Sequence, residues 1–415
     1  MRERPEPKRA ATPLLTGQNA LRNWSILAAA SLTVMAGATI APGLPDLQAH
    51  FANVPNADVL SRVLLTTHGL AIAIVAPLGG LLIDRVGRKP MLIAAALLYG
   101  LAGTAGLWLD NLVALLASRA LLGAAVAVTM TVATTLVGDF FRGEERDRFV
   151  GLQSAAMAGG GIVFMLGGGV LAEISWRGPF LVYGLAFLVA PLAFIALPRS
   201  PSSALSSEYE AVPTPMEATR PHVIVFLYIV AFLNQIAFYM LPTQLPFVVA
   251  SSFESGAATL TGALIATQTL FAALTALNFS RLRKRMSRLA LFAVGFGGTG
   301  LAYILLSQIE GPLLFFVMAF AGMAGGVMMP NIQSWIVGAV TDEARGRVVG
   351  GLSSITFFGQ FMSPIVLAPV VLIVGLRGSF VVSAIVLIVL AGVLLAVVGA
   401  QDRKRSKQPK APPGE

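Results

Sequence analysis

Apolar stretches of roughly twenty residues alternate with short polar or charged turns along nearly the whole chain. At about 1.5 Å of rise per residue, a helix of that length crosses a hydrocarbon core of about 30 Å. The pattern predicts twelve transmembrane helices, over residues 24–46, 59–83, 90–108, 112–138, 149–172, 178–197, 222–242, 257–279, 288–307, 312–338, 347–372 and 377–399. The expected class is therefore an all-α membrane protein. An even number of crossings puts both ends of the chain on one side.

The longest interruptions divide the chain. Residues 1–23 are polar, basic and Pro-bearing and predict a disordered tail, and residues 400–415 predict a second tail. Residues 198–221, beginning Pro198-Arg199-Ser200-Pro201, are rich in Pro, Ser and Glu and predict a flexible linker between six-helix bundles at 24–197 and 222–399. An internal repeat supports this division. Glu144-Glu145-Arg146-Asp147-Arg148-Phe149-Val150-Gly151 corresponds to Glu343-Ala344-Arg345-Gly346-Arg347-Val348-Val349-Gly350 at an offset of 199, and Arg177-Gly178-Pro179-Phe180 to Arg377-Gly378-Ser379-Phe380 at an offset of 200. Two pseudo-symmetric halves are expected.

Composition agrees: of 415 residues, 56% are hydrophobic and 12% charged, about half the charge of a soluble domain. The net charge of +9 raises the possibility of a nucleic-acid partner, and the placement of the cations removes it. With the tails and alternate loops assigned to the cytoplasm, only Arg62, Arg119, Arg177 and Arg377 fall elsewhere. That asymmetry is the positive-inside rule, and it predicts cytoplasmic termini in a plasma or inner membrane. The first apolar run is longer than a signal-peptide core, so it is expected to stay as the first helix. The chain has no cysteine, which excludes disulfides and thiolate metal sites. Neither a Walker loop nor a hydrolase or metalloprotease signature is present, so no enzyme activity, cofactor or metal is expected.

Between the second and third runs lies Gly80-Leu81-Leu82-Ile83-Asp84-Arg85-Val86-Gly87-Arg88-Lys89-Pro90. Asp84 ends a helix, Gly87 permits a sharp reversal, and Arg85, Arg88 and Lys89 anchor the turn on the positive side. Written G-x-L-x-D-R-x-G-R-K, the loop closely resembles the signature of the major facilitator superfamily of secondary transporters. The pair Pro42 and Pro45 and the run Arg119-Ala120-Leu121-Leu122-Gly123 are similar to first- and fourth-helix patterns of its drug/proton antiporters. The chain departs from these at Val163 and Phe164, where such antiporters carry Gly-Pro. The resemblance implies that Asp84 faces the start of the eleventh helix near Arg347, that Asp139 completes this gating cluster, and that halves rocking about a midplane site give alternating access. The subgroup resembled is the twelve-helix drug/proton antiporters and sugar effluxers.

Candidate chemistry differs between the halves. A guanidinium at Arg119, about 10 Å from the outer face, is a functional hypothesis by its depth, whereas the matching position is Met318. Asn234, Gln235, Phe238, Gln268, Phe357 and Gln360 are neutral polar or aromatic groups suited to an amphipathic organic substrate, and Asn234 and Phe238 share a helix face at i, i+4. All twenty Asp and Glu fall in tails, loops or span ends. The expected proton carrier is therefore His68, about 13 Å from the outer end of the second helix, with Asp46 the competitor. The glycines at 159–161 and 167–169 are expected to let helices of opposite halves approach. The functional expectation is proton-coupled efflux of a small amphipathic molecule by a monomer. A proton-coupled importer, a lipid flippase and a non-transporting sensor remain alternatives.

Overall fold

Pro42 and Pro45 set the first feature of the fold. The opening helix Ala20–Ala38 gives way to a 3-10 turn, Ala41–Gly43, before the short helix Leu44–His50 completes the span. A proline lacks the donor that an α-helix needs and its ring crowds the preceding turn, so the break falls where the sequence places it. The structure is a computed structural model and describes residues 14–17, 19–198, 221–253 and 255–407. Most of the expected linker and both tail ends lie outside the described residues.

Among the described residues, 11 helical stretches are long and apolar enough to cross a membrane. After Ala20–His50 come Ala57–Leu78, Arg88–Leu107, Leu112–Phe140, Gly143–Ile174 and Gly178–Ala196. The second half holds Pro221–Ser252, Ala257–Leu277, Arg288–Gln308, Gly311–Val337 and Gly346–Gln401. The last of these, 56 residues long, contains the non-helical Gly375 (φ 74°, ψ 175°). That glycine divides it into the eleventh and twelfth of the expected spans, numbered here one to twelve in chain order.

Within the first half, span four packs against spans two and three, span five against span one, and span six against span three. The second half repeats the plan: span eight on span ten, span nine on spans ten and twelve, and span seven on span eleven. The repeat read from the sequence has a three-dimensional counterpart. Arg177 pairs with Asp110 at 2.9 Å, and Arg377 pairs with Glu310, each residue 200 positions after its equivalent.

Two seams join the halves, span two with span eleven and span five with span eight. Hydrocarbon offers no drive for apolar helices to associate, so close approach of small residues must supply the contact. Gly169 does this. A Cβ there would lie 2.9 Å from the carbonyl oxygen of Ala258 and 3.2 Å from Cα of Gly262 in span eight. The cluster is divided in role, with the expected approach to the opposite half made at Gly169. Gly161 and Gly168 face Val34 and Thr39 of span one in their own half, and Gly159 and Gly167 face open space.

Candidate functional site

The span two–eleven seam places His68 at its centre. The ring is 2% exposed, and its Nε2 lies 2.8 Å from the amide nitrogen of Gln360, itself 1% exposed. With the amide nitrogen as donor, the imidazole Nε2 must accept, which requires a neutral ring. Above and below this pair the seam is closed by Thr66 Oγ1 donating to the Phe361 carbonyl (3.4 Å) and Ser354 Oγ donating to the Ala73 carbonyl (2.9 Å). Gly123 of span four lies against the backbone of His68, and Tyr239 of span seven directs its hydroxyl at Gly37 of span one. Three spans of one half and two of the other thus bear on one buried point.

Arg119 is 1% exposed and does not reach for the outer interface. Its Nη2 donates to the carbonyls of Ala102 (2.8 Å) and Gly103 (2.7 Å), and the guanidinium lies over the rings of Phe180 and Tyr183 at 5.1 and 5.0 Å. Those carbonyls belong to the last turn of the helix Arg88–Thr104, where oxygens have no helical partner and the helix dipole is negative. A buried cation is thereby balanced by a helix end and two aromatic faces. It has no carboxylate ion pair among the described residues.

The six expected substrate residues separate into two groups. Asn234, Phe238 and Gln268 line one cleft with Phe296 and Tyr303, and its volume is about 10 Å³, room for about one water molecule. The shared face of Asn234 and Phe238 is as the spacing predicts. Gln235 and Phe357 lie elsewhere: Gln235 packs on Gly359, and the Phe357 backbone packs on Gly69. Gln360 is committed to His68.

At the face carrying the termini, Gly87 (φ 94°) ends the second helix and makes the turn. Arg88 Nε then donates to Asp139 Oδ2 at 3.1 Å, and Lys89 Nζ to the Leu197 carbonyl at 2.6 Å. Arg85 and Arg347 are exposed. The surroundings of Gly80 and the side chain of Asp84 lie outside the described residues.

The opposite face holds contacts that the sequence did not single out. Glu173, at the end of span five, accepts from the backbone N–H groups of Gly256 (2.6 Å) and Thr259 (3.3 Å) at the start of span eight. A carboxylate there meets the positive end of a helix dipole. Arg62 of span two lies over the Phe247 ring of span seven at 4.1 Å. An acid at a span end carries no sequence signal that it crosses to the other half. Asp46 is exposed on the short helix of span one. Asp110, outside the spans, is held below the usual carboxylate range, first by its hydrogen bond with His50 and then by Arg177.

Relatives place this architecture. The chain is 27% identical over 361 residues to the tetracycline resistance protein, class C, of Escherichia coli, covering 83% of this chain and 88% of that protein. To the quinolone resistance protein NorA of Staphylococcus aureus it is 24% identical over 367 residues, covering 83% and 89%. The fold matches the inward-open structure of the xylose transporter XylE from E. coli with a TM-score of 0.71, at 14% identity and covering 90% and 95%. The model of the Major Facilitator Superfamily matches residues 26–256 and 227–414, and the chain therefore belongs to that superfamily.

Proposed function

We propose that this protein exports a small, partly apolar organic molecule across the bacterial inner membrane by alternating access, driven by proton entry, with its termini in the cytoplasm. The observation that carries this reading is the His68–Gln360 bond, a titratable ring buried in the seam on which the halves must move. A neutral ring accepts from Gln360. A ring protonated at Nε2 presents a donor to a donor, so the bond is lost unless the amide turns over, and a buried polar group left unpartnered costs about 1–3 kcal/mol. Protonation thus loosens span two from span eleven, and release of the proton restores the join. Imidazole is the side chain whose charge changes most readily near neutral pH.

The contacts of Glu173 and Arg62 hold the halves together at the outer face, so the conformation described has its outer gate closed. On the cytoplasmic face Asp84, beside the Arg88–Asp139 pair of its own half, closes the corresponding gate by meeting the start of span eleven when the outer gate opens. Asn234, Phe238 and Gln268 contact substrate in a cleft that must widen from its present volume as the halves rock. The names of the relatives make a tetracycline and a quinolone the first compounds to assay.

The test is efflux from proteoliposomes under an imposed pH gradient. His68→Gln keeps hydrogen bonding and removes titration. It is expected to abolish acceleration by the gradient while sparing substrate binding and exchange, with Asp46→Asn at the parental rate. Full gradient-driven efflux by His68→Gln together with its loss in Asp46→Asn transfers the role to Asp46. Retention in both variants removes proton coupling through either residue.

A further inference from the structure

On the outside of the second half, at the face carrying the termini, spans eight, nine and ten leave an open groove of about 700 Å³, within the roughly 300–1,000 Å³ range of ligand sites. Its walls are apolar: Phe271 and Leu274 from span eight, Val294 from span nine, Phe320 and Met323 from span ten. Leu274, Val294 and Met323 are each more than 40% exposed, so the groove opens sideways, where the bilayer lies. Gly298 lets span nine approach span ten at its floor, since a Cβ there would lie 2.7 Å from that of Ala324. From Asn278 to Phe271 the groove runs seven residues into the membrane, about 10 Å.

Arg281 and Arg285 stand at its mouth. Both are exposed, on the short helix Phe279–Arg285 that follows span eight. Arg281 Nη1 donates to Asn278 Oδ1 at 2.7 Å, and no ion pair to either arginine occurs among the described residues. The charge around them is one-sided. Arg281, Arg283, Lys284, Arg285 and Arg288 fall within eight positions, and no Asp or Glu occurs between Glu254 and Glu310 or between Glu310 and Asp342. In the first half Asp139 meets the loop cation Arg88. At the repeat offset of 199 its counterpart is Gly338, so the second half has lost that compensating carboxylate.

We propose that this groove binds an anionic phospholipid, an acyl chain between spans eight, nine and ten and the phosphate on Arg281 and Arg285. An apolar slot open to hydrocarbon, with uncompensated guanidinium groups at interfacial depth, presents the two halves of that ligand in the right order. Basic residues at a membrane surface attract anionic headgroups by about 1 kcal/mol each, and arginine grips phosphate through paired donors.

Native mass spectrometry of the full-length protein, titrated with phosphatidylglycerol or phosphatidylcholine, tests it. The parent is expected to retain phosphatidylglycerol preferentially. Arg281→Gln with Arg285→Gln should lower that retention by about 30-fold, and Arg281→Lys with Arg285→Lys should keep most of it. Arg283→Gln is the control for a cation lost outside the groove, since Arg283 donates to the Met286 carbonyl and does not line the groove. It should change retention by no more than about fivefold. Val294→Trp fills the slot with the arginines intact and is expected to displace the lipid. Equal retention of the two lipids by the parent overturns the proposal, as does a loss in Arg283→Gln equal to that of the double variant. Undiminished retention in Val294→Trp overturns the placement of the acyl chain. Should the double glutamine variant fail to fold, the lysine pair and Val294→Trp still decide.

Discussion

The two halves share a plan and differ in where they keep charge. Both fasten the face opposite the termini with the same kind of pair, Asp110 with Arg177 and Glu310 with Arg377. At the equivalent buried position in span four and span ten, however, the first half holds Arg119 and the second Met318, 1% and 0% exposed. The loop cation Arg88 has its carboxylate in Asp139, whereas Arg281 and Arg285 face a groove with none. Duplication preserved what the bundle needs for its shape. The first half kept ionisable groups inside, with a helix end and two aromatic rings to balance one of them. The second half became neutral inside and carries its polar cleft.

The sharpest way to break this comparison is to exchange the buried residues. Met318→Arg introduces a charge without the carbonyls that Arg119 uses, and a buried uncompensated charge costs about 3–5 kcal/mol. Loss of the monodisperse peak in size-exclusion chromatography is the expected outcome. Arg119→Met leaves the carbonyls of Ala102 and Gly103 without their donor, at about 1–3 kcal/mol each but with no buried charge, and should retain more folded protein than Met318→Arg while losing gradient-driven efflux. Equal folding of the two variants would show the halves to be interchangeable at this position.

Next in size is the polar cleft of the second half. Asn234→Ala and Phe238→Ala should shift apparent affinity by about tenfold and reorder substrates, read as competition among compounds in efflux assays. A uniform fall in protein level with no reordering assigns these side chains to packing.

The gating asymmetry is tested by Asp84→Asn and Asp139→Asn in the cysteine-free chain carrying Ser354→Cys as a reporter at the seam. Each is expected to raise thiol labelling by about fivefold, the lower end of usual conformational coupling. Labelling at the parental rate would confine both carboxylates to setting topology.

The smallest effect belongs to the ion pairs that the two halves share. Asp110→Asn and Glu310→Gln should move the thermal midpoint by about 2 °C or less at pH 7, because exposed ion pairs contribute little. The sign with pH distinguishes them from inert residues. The Asp110 carboxyl is depressed in the folded state by His50 and Arg177. Its contribution is present above the ordinary carboxylate value and is lost as pH falls through the lower folded one. Melting curves from pH 6 to about pH 3 should therefore decline less steeply for Asp110→Asn than for the parent.

Much of the fold was legible because hydrophobic run length, loop charge and the offset of 199 to 200 are one-dimensional quantities. The break in span one falls at Pro42 and Pro45, for a reason carried by the residue type itself, and the i, i+4 spacing of Asn234 and Phe238 places them in one cleft. The candidate site was legible in part. Depth selected His68 and Arg119 correctly as buried ionisable groups, yet could not say that one meets the opposite half while the other is absorbed within its own. The chemistry of Gln360 suits a substrate contact, yet its partner is a histidine 292 positions away.

Sequence by itself determined the number of spans, the duplicated halves and the side on which the cations gather, because each follows from residue type and spacing along one helix at a time. Only the tertiary structure decided which glycine faces which half, that Glu173 crosses to the start of span eight, and that the second-half cations border an apolar groove. Those contacts depend on the rotation and register of one helix against another. In a membrane nearly every face of a helix is apolar, so hydropathy does not mark the buried side. Close packing of small residues and a few buried polar bonds set that register, and their partners lie tens to hundreds of residues apart.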